Sequence, residues 1–208
     1  MARQPETTPR KAPRQRRSMA MVDTILEASA RVLMERGYAE MSTNAVAQQA
    51  GISVGSLYQY FPNKASLLTA LHQRHGIHMA ESIEKVLGEA HDEGLRGAVT
   101  SLIRAAMAAH EVEPELHRLL EKERPLLEAN MGAAGDRIHR HVMELLLRHR
   151  DELRHDDLDM AAWMTMKMTE ALVHGAVLEA VDGQNARNVE AGIVDGILGF
   201  LSATPKQA

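Results

Sequence analysis

The sequence predicts an all-α protein, on three observations. Hydrophobic residues fill 45% of the 208 positions and aromatics only 3%, while thirteen methionines join Ala and Leu as strong helix formers. Apolar residues recur at helical spacing along most of the chain. No stretch alternates apolar and polar residues as a strand would. A chain of this length accommodates one or two compact units. It has no cysteine, which removes disulfides, thiolate nucleophiles and Cys-based metal sites together. No apolar run is long enough for a membrane span, and the Arg- and Pro-rich first twenty residues lack the apolar core of a secretory signal. The expectation is a cytoplasmic protein with no membrane partner.

The elements follow from punctuation and periodicity. Residues 1–18 mix Pro5, Pro9 and Pro13 with charges and read as a disordered basic arm. Val22, Ile25, Leu26, Ser29, Val32 and Leu33 form the stripe of a first helix that Gly37 ends. A short second helix runs from a cap at Ser42 or Thr43 to Gly51, and a third from Ser53, a good N-cap, to Pro62. Asn63 caps a long fourth helix reaching about residue 90, with Gly76 as its weak point. Further helices are expected over 96–111, 114–122, 124–149, 156–181 and 188–203, with Gly132 and Gly135 marking a potential break.

Charge is unevenly spread. Residues 1–75 hold ten Lys/Arg against five Asp/Glu, and the rest holds fourteen against twenty-three. Arg3, Arg10, Lys11, Arg14, Arg16 and Arg17 all lie in the first seventeen positions. A basic head on an acidic body suggests a polyanion partner for the head. A solvated tail would look the same by charge alone.

The run from Thr43 to Pro62 narrows the choice. Two short helices joined by a tight turn cross steeply, which requires a small residue at the closest approach (Ala47) and positive φ in the turn (Gly51). Val46, Ala50, Ile52 and Leu57 are apolar where the pair must lock together. This is a helix-turn-helix pattern, although an amphipathic pair without a DNA role would share it. The exposed positions of the second helix, Val54, Gly55, Ser56, Tyr58, Gln59 and Tyr60, include no carboxylate, which suits a major groove walled by phosphates. Tyr58, Tyr60 and Phe61 are half of the chain's six aromatics; Phe61 is the one placed for core packing. Lys64 adds a cation at the start of the fourth helix.

The run Thr43-x-x-Val46-Ala47-x-x-Ala50-Gly51-x-Ser53-x-Gly55-x-Leu57-Tyr58-x-Tyr60-Phe61-x-x-Lys64-x-x-Leu67, preceded by Ile25-Leu26-Glu27-Ala28 and Gly37-Tyr38, resembles the signature of the tetracycline-repressor (TetR) family of bacterial transcription regulators. The resemblance covers about residues 20–68. It implies an N-terminal three-helix DNA-binding domain (19–66, after the 1–18 arm) and a C-terminal helical bundle (67–204) for ligand binding and dimerisation. It also implies repression of a pseudo-palindromic double-stranded operator, relieved by a small molecule. Carried over by residue, Thr43, Ser53, Tyr58, Tyr60 and Lys64 would contact the sugar-phosphate backbone, and Val54, Gly55, Ser56 and Gln59 the base edges. Gln59 can pair with adenine N6 and N7. The arm could reach a groove or the backbone, or remain unbound.

In the acidic body, the segment 156–181 is apolar on more than one stripe, and Gly192, Gly196 and Gly199 give the last helix small-residue spacing. A homodimer interface is therefore expected at Met168, Leu172, Val189, Gly192, Ile193, Gly196 and Ile197. A pocket for a small hydrophobic effector would be lined, by segment position alone, by Met107, His110, Leu127, Met131, Met143, Trp163, Met164, Lys167 and His174. Effector binding would act through the fourth helix, which joins head to body. Eleven histidines, among them His72, His75, His78, His110, His117, His139 and His141, show no zinc-enzyme spacing and read as solvated helix residues. No phosphate-cradling loop or nucleophile elbow supports an enzyme, and no cofactor or metal is expected. The competing readings are a family member acting as an activator or nucleoid-organising factor without a ligand, and a helical protein-interaction module.

Overall fold

The computed structural model describes residues 16–89, 94–123, 132–178 and 186–202. All regular elements among them are helical: α1 (Arg16–Glu40), α2 (Thr43–Gln49), α3 (Val54–Tyr58), α4 (Lys64–Glu89), α5 (Gly94–Glu111), α6 (Pro114–Lys122), α7 (Gly132–Arg148), α8 (Leu158–Leu178) and α9 (Ala186–Leu201). A 3-10 turn over Arg150–Glu152 follows α7, and one isolated bridge pairs Leu153 with Ser202. The order matches the helices expected from sequence. Residues 124–131, expected at the start of the seventh helix, and 1–15 of the arm lie outside the described residues.

Two compact units result. The first holds residues up to His75 together with those from Glu113. Its core is built by Ile25, Val32 and Leu33 of α1, Val46 and Ala47 of α2, Leu57 of α3, Phe61 just beyond it, Leu67, Leu68 and Leu71 of α4, and Leu116 and Leu120 of α6. The division expected at 66/67 thus leaves out α6, whose apolar stripe completes this core. Gly37 carries φ 71° and ends the regular part of α1, while Gly51 carries φ 68° in the turn between α2 and α3. Three side chains cap the helices that follow. Ser42 Oγ accepts the Ala45 N–H (3.1 Å), Ser53 Oγ accepts the Ser56 N–H (3.0 Å), and Asn63 Oδ1 accepts the Ser66 N–H (2.9 Å). Each satisfies a donor that the first helical turn leaves over.

This unit also corrects one expectation. His75 and His117 are buried rather than solvated, their Nε2 and Nδ1 atoms 3.0 Å apart across α4 and α6. Glu113 Oε2 lies 3.5 Å from His75 Nδ1, and Glu121 lies 3.8 Å from His72 Nε2.

The second unit holds residues from Gly76 to Val112 and from Met131 onward. Its core takes Ile83 of α4, Val99, Leu102 and Ile103 of α5, Val142 and Leu146 of α7, Ala161, Ala162 and Val173 of α8, and Ile193, Val194, Ile197 and Leu198 of α9. α4 runs through Gly76 without a break; a Cβ there would lie 3.4 Å from that of Ala134 on α7. Arg137 on α7 grips Glu84 on α4 through two nitrogens, and His141 adds a contact to the same carboxylate at 3.1 Å. The Arg137 hydrogen bonds, with those from His141, hold the Glu84 carboxyl down at about 2. Glu152 Oε1 accepts the Leu95 N–H (3.3 Å) and lies 3.0 Å from His149 Nδ1, tying the start of α5 to the turn after α7. His110 and His149 are buried here, again against the solvated reading.

Leu57 is fully enclosed, so Leu57→Ala is expected to cost about 2–5 kcal/mol in chemical denaturation. Gly51→Ala faces no neighbour within 4 Å but must hold φ 68°, a cost of about 1–2 kcal/mol that Gly51→Asn should partly recover. Because Glu84 has a lowered carboxyl in the folded state, its contribution is complete above the ordinary carboxylate range and fades as pH falls toward about 2. Arg137→Met should therefore lower the melting temperature at pH 7, and the deficit relative to the parent should shrink on acidification.

Candidate nucleic-acid interface

The α2–α3 pair carries an uncharged face. Among the described residues, Gly55, Tyr58 and Gln59 are exposed and Leu57 between them is buried, so α3 presents one side outward and pins the other to the core. Tyr58 is 42% exposed, and its Oη lies 3.1 Å from Thr43 Oγ1, joining the start of α2 to the end of α3. Tyr60 packs partly on the core, with the Ser18 hydroxyl 3.4 Å from its Oη. Phe61 is buried, as expected.

Other predicted contacts are already engaged within the protein. Ser53 and Ser56 hydroxyls lie 2.8 Å apart while Ser53 caps α3. Val54 is partly buried and packs against the core. The Lys64 ammonium donates to the Tyr38 carbonyl (3.2 Å) and the Ala39 carbonyl (3.4 Å) and sits 4.5 Å over the Tyr38 ring. It therefore staples α4 to the end of α1, with two of its three N–H groups occupied. Burial, helped by Glu123, pushes the Tyr38 hydroxyl up from its ordinary value.

One signal in the sequence is wider than the six exposed positions of the second helix. Between Glu40 and Lys64 the chain carries no charged side chain, and no carboxylate occurs between Glu40 and Glu81. In a chain that is 25% charged, this leaves the α2–α3 face free of groups that phosphates would repel.

The expected dimer and pocket residues divide differently from the expectation. Ile193 and Ile197 are buried in the core of their own protomer, because α9 turns its Val189–Ile193–Ile197–Leu201 stripe inward. They have no surface to offer a partner. Met168 and Val189 also pack against that core, while Gly192 and Gly196 are exposed with nothing within 4 Å of a built Cβ. Leu172 is exposed on α8, as are Met160 and Trp163. Trp163, 56% exposed, and Lys167, paired with Glu170 at 2.7 Å, lie on the outer face of α8 and do not line an interior site. Met107 and Met143 pack on the core, and Met164 is half-buried. The His110 and His174 rings meet edge to face at 4.9 Å, with His110 Nδ1 2.6 Å from the Ala106 carbonyl. Leu127 and Met131 lie outside the described residues.

Comparison with known proteins agrees with this geometry. The chain is 26% identical over 176 residues (82% of the chain, 78% of the relative) to the fatty acid metabolism regulator protein of Bacillus subtilis. It is 26% identical over 181 residues (84% and 76%) to the HTH-type transcriptional regulator TtgR of Pseudomonas putida. A crystal structure of a TetR-family transcriptional regulator from Streptomyces coelicolor superimposes with a TM-score of 0.60 at 28% identity, covering 86% of this chain and 96% of that one. The family model for bacterial regulatory proteins of the tetR family matches residues 25–71, and that for the tetracyclin repressor-like C-terminal domain matches 94–201. Matched in both its parts, and with a helix-turn-helix whose outer face bears no charge, the chain belongs to the tetR family of bacterial regulatory proteins and is a DNA-binding transcriptional regulator.

Proposed function

We propose that the protein is a homodimeric repressor that reads a pseudo-palindromic operator through α3 and leaves it when a small apolar effector binds in the second unit. The observation that carries this reading is the exposed, uncharged α3 face, with Gln59 and Tyr58 outward and Leu57 locked inward. Gln59 supplies a paired donor and acceptor suited to adenine in the major groove. Gly55 lets the backbone approach the base edges closely, and the Thr43 and Tyr58 hydroxyls serve phosphate oxygens.

Dimerisation supplies the two-fold symmetry that a palindrome needs. The surface for it is the outer face of α8, with Met160, Trp163 and Leu172, together with the open glycine side of α9 at Gly192 and Gly196. Effector lining is assigned to Met107, Met143, Met164, His110 and His174. Flexible methionine surface suits an aliphatic chain, and the Bacillus subtilis relative is named for fatty acid metabolism, so acyl compounds are the first effectors to test. Occupancy would be passed along α4, whose residues up to His75 belong to the first unit and those from Gly76 to the second.

The reading is tested by selecting duplexes from a random pool and measuring affinity for the selected and unrelated sequences. Gln59→Ala is expected to relax preference at particular base pairs, by about 1–3 kcal/mol at each. Tyr58→Phe should weaken binding to all sequences alike. A uniform loss for Gln59→Ala would remove it from base readout. Lys64→Ala should lower the melting temperature while leaving the salt dependence of binding nearly unchanged, because its ammonium is held by backbone carbonyls. A salt slope reduced by about one would instead make Lys64 a phosphate contact.

A further inference from the structure

Three histidines and two carboxylates meet where α6 lies along α4 in the first unit. His75 Nε2 and His117 Nδ1 are 3.0 Å apart, and both rings are buried. One turn earlier on α4, His72 Nε2 lies 3.8 Å from Glu121 Oε1, with 22% and 18% of the two side chains exposed. Glu113 Oε2 stands on the other side of the His75 ring, 3.5 Å from Nδ1. The core beside this seam is apolar, with Leu68 and Leu71 on α4 and Leu116 and Leu120 on α6. Burying a row of ionisable groups there costs free energy that leucines would not. Packing alone does not account for the row.

The arrangement is that of a chelate. His72 and His75 are three residues apart and His117 and Glu121 four, the two spacings that place neighbours on one helix face. Metal sites in helical bundles use such pairs, projected from facing helices. A tetrahedral ion holding its ligands at about 2.0–2.1 Å sets them about 3.3–3.4 Å from one another. The cross-helix distances of 3.0 and 3.8 Å fall on either side of that value. Rotamer changes at His72 and Glu121, one turn along, bring the second pair to the first. Glu113 favours the His75 tautomer with its proton on Nδ1, which leaves the Nε2 lone pair toward His117. A carboxylate behind a ligating imidazole is the usual outer support of such sites. Neither helix alone carries a zinc-enzyme spacing; the set exists only across the seam.

We propose that His72, His75, His117 and Glu121 bind a divalent transition-metal ion, with Glu113 orienting His75. Three imidazoles and one carboxylate suit Zn2+ or Ni2+, whereas Mg2+ and Ca2+ take oxygen ligands. The ion takes the place of the proton between His75 and His117, and His117 then carries its own proton on Nε2. Bound there, it crosslinks α4 to α6 within the unit that carries α3. The assignment does not depend on the operator-reading role of α3.

The test measures binding of Zn2+ alone to the full chain, first freed of metal with a chelator, by competition with a metal-binding dye. Co2+ serves as a second probe, its visible spectrum reporting tetrahedral coordination. A single tight equivalent per chain is expected, with a rise in melting temperature that chelator reverses. Both should be lost in His75→Gln and in the double variant His72→Gln/Glu121→Gln. Both should be retained in His78→Gln, which alters an exposed histidine on the same helix. Glu113→Gln, at a half-exposed side chain, should keep its helical content by circular dichroism and bind Zn2+ about 10–100-fold more weakly. That variant decides the matter if the buried ones fail to fold. The assignment is overturned if the parent binds no equivalent, if the equivalent survives the double variant, or if His78→Gln removes it. Equal competition by Mg2+ overturns it too, as does an affinity unchanged by Glu113→Gln.

Discussion

The burial of Leu57 is the constraint on which the rest of the first unit depends. α3 has five residues, far too few for a helix to persist in water without tertiary support. It exists because Leu57 and Phe61 are enclosed by α1, α2 and α4, and because Ser53 satisfies one orphan donor of its first turn, the Ser56 N–H. The same anchoring dictates direction. With Leu57 inward, the helical period leaves Gly55, Tyr58 and Gln59 outward. The outer face is thus a by-product of the core, braced on its own side by hydroxyl contacts such as Thr43–Tyr58. That side can therefore be free of charge and small in places, features that would otherwise leave a short helix unsupported.

The helix-turn-helix was legible in the sequence because its requirements are local. A cap at Ser42, a small residue at Ala47, a left-handed glycine at Gly51 and a second cap at Ser53 fall within twelve positions, and each is a steric or hydrogen-bonding demand of a tight crossing. Less legible is which neighbour covers an apolar stripe. Leu116 and Leu120 announce an amphipathic α6, but only the fold shows that α1–α4 cover it. On α9 the Ile193–Ile197 stripe and the Gly192–Gly196 edge lie side by side in sequence, and either could have met a partner; the protomer core claims the isoleucines. Trp163 stands outside the expected pocket for the same reason, since an apolar residue on a many-sided helix does not say which side is inside.

Histidines show a further limit of reading along the chain. His75 and His117 are forty-two residues apart and enclosed together, whereas three-residue spacing on α4 suggested a solvated row. A ring nitrogen buried against another ring can donate or accept according to tautomer, so the pair partners one nitrogen of each ring across forty-two residues without any local signature. Lys64 is the complementary case: a cation in the expected place, with its hydrogen bonds directed to α1 rather than outward.

Gly76 has a mechanical meaning. α4 is continuous there although glycine is among the weakest helix formers, at about 0.5–1 kcal/mol below alanine, and its bare Cα faces Ala134. Local preference adds little to the rigidity of α4 at that position, and the contact with Ala134 on α7 stands where a side chain would otherwise be. A Cβ there would just touch Ala134, so any larger side chain would have to push α7 aside, and the glycine is what lets the two helices lie this close.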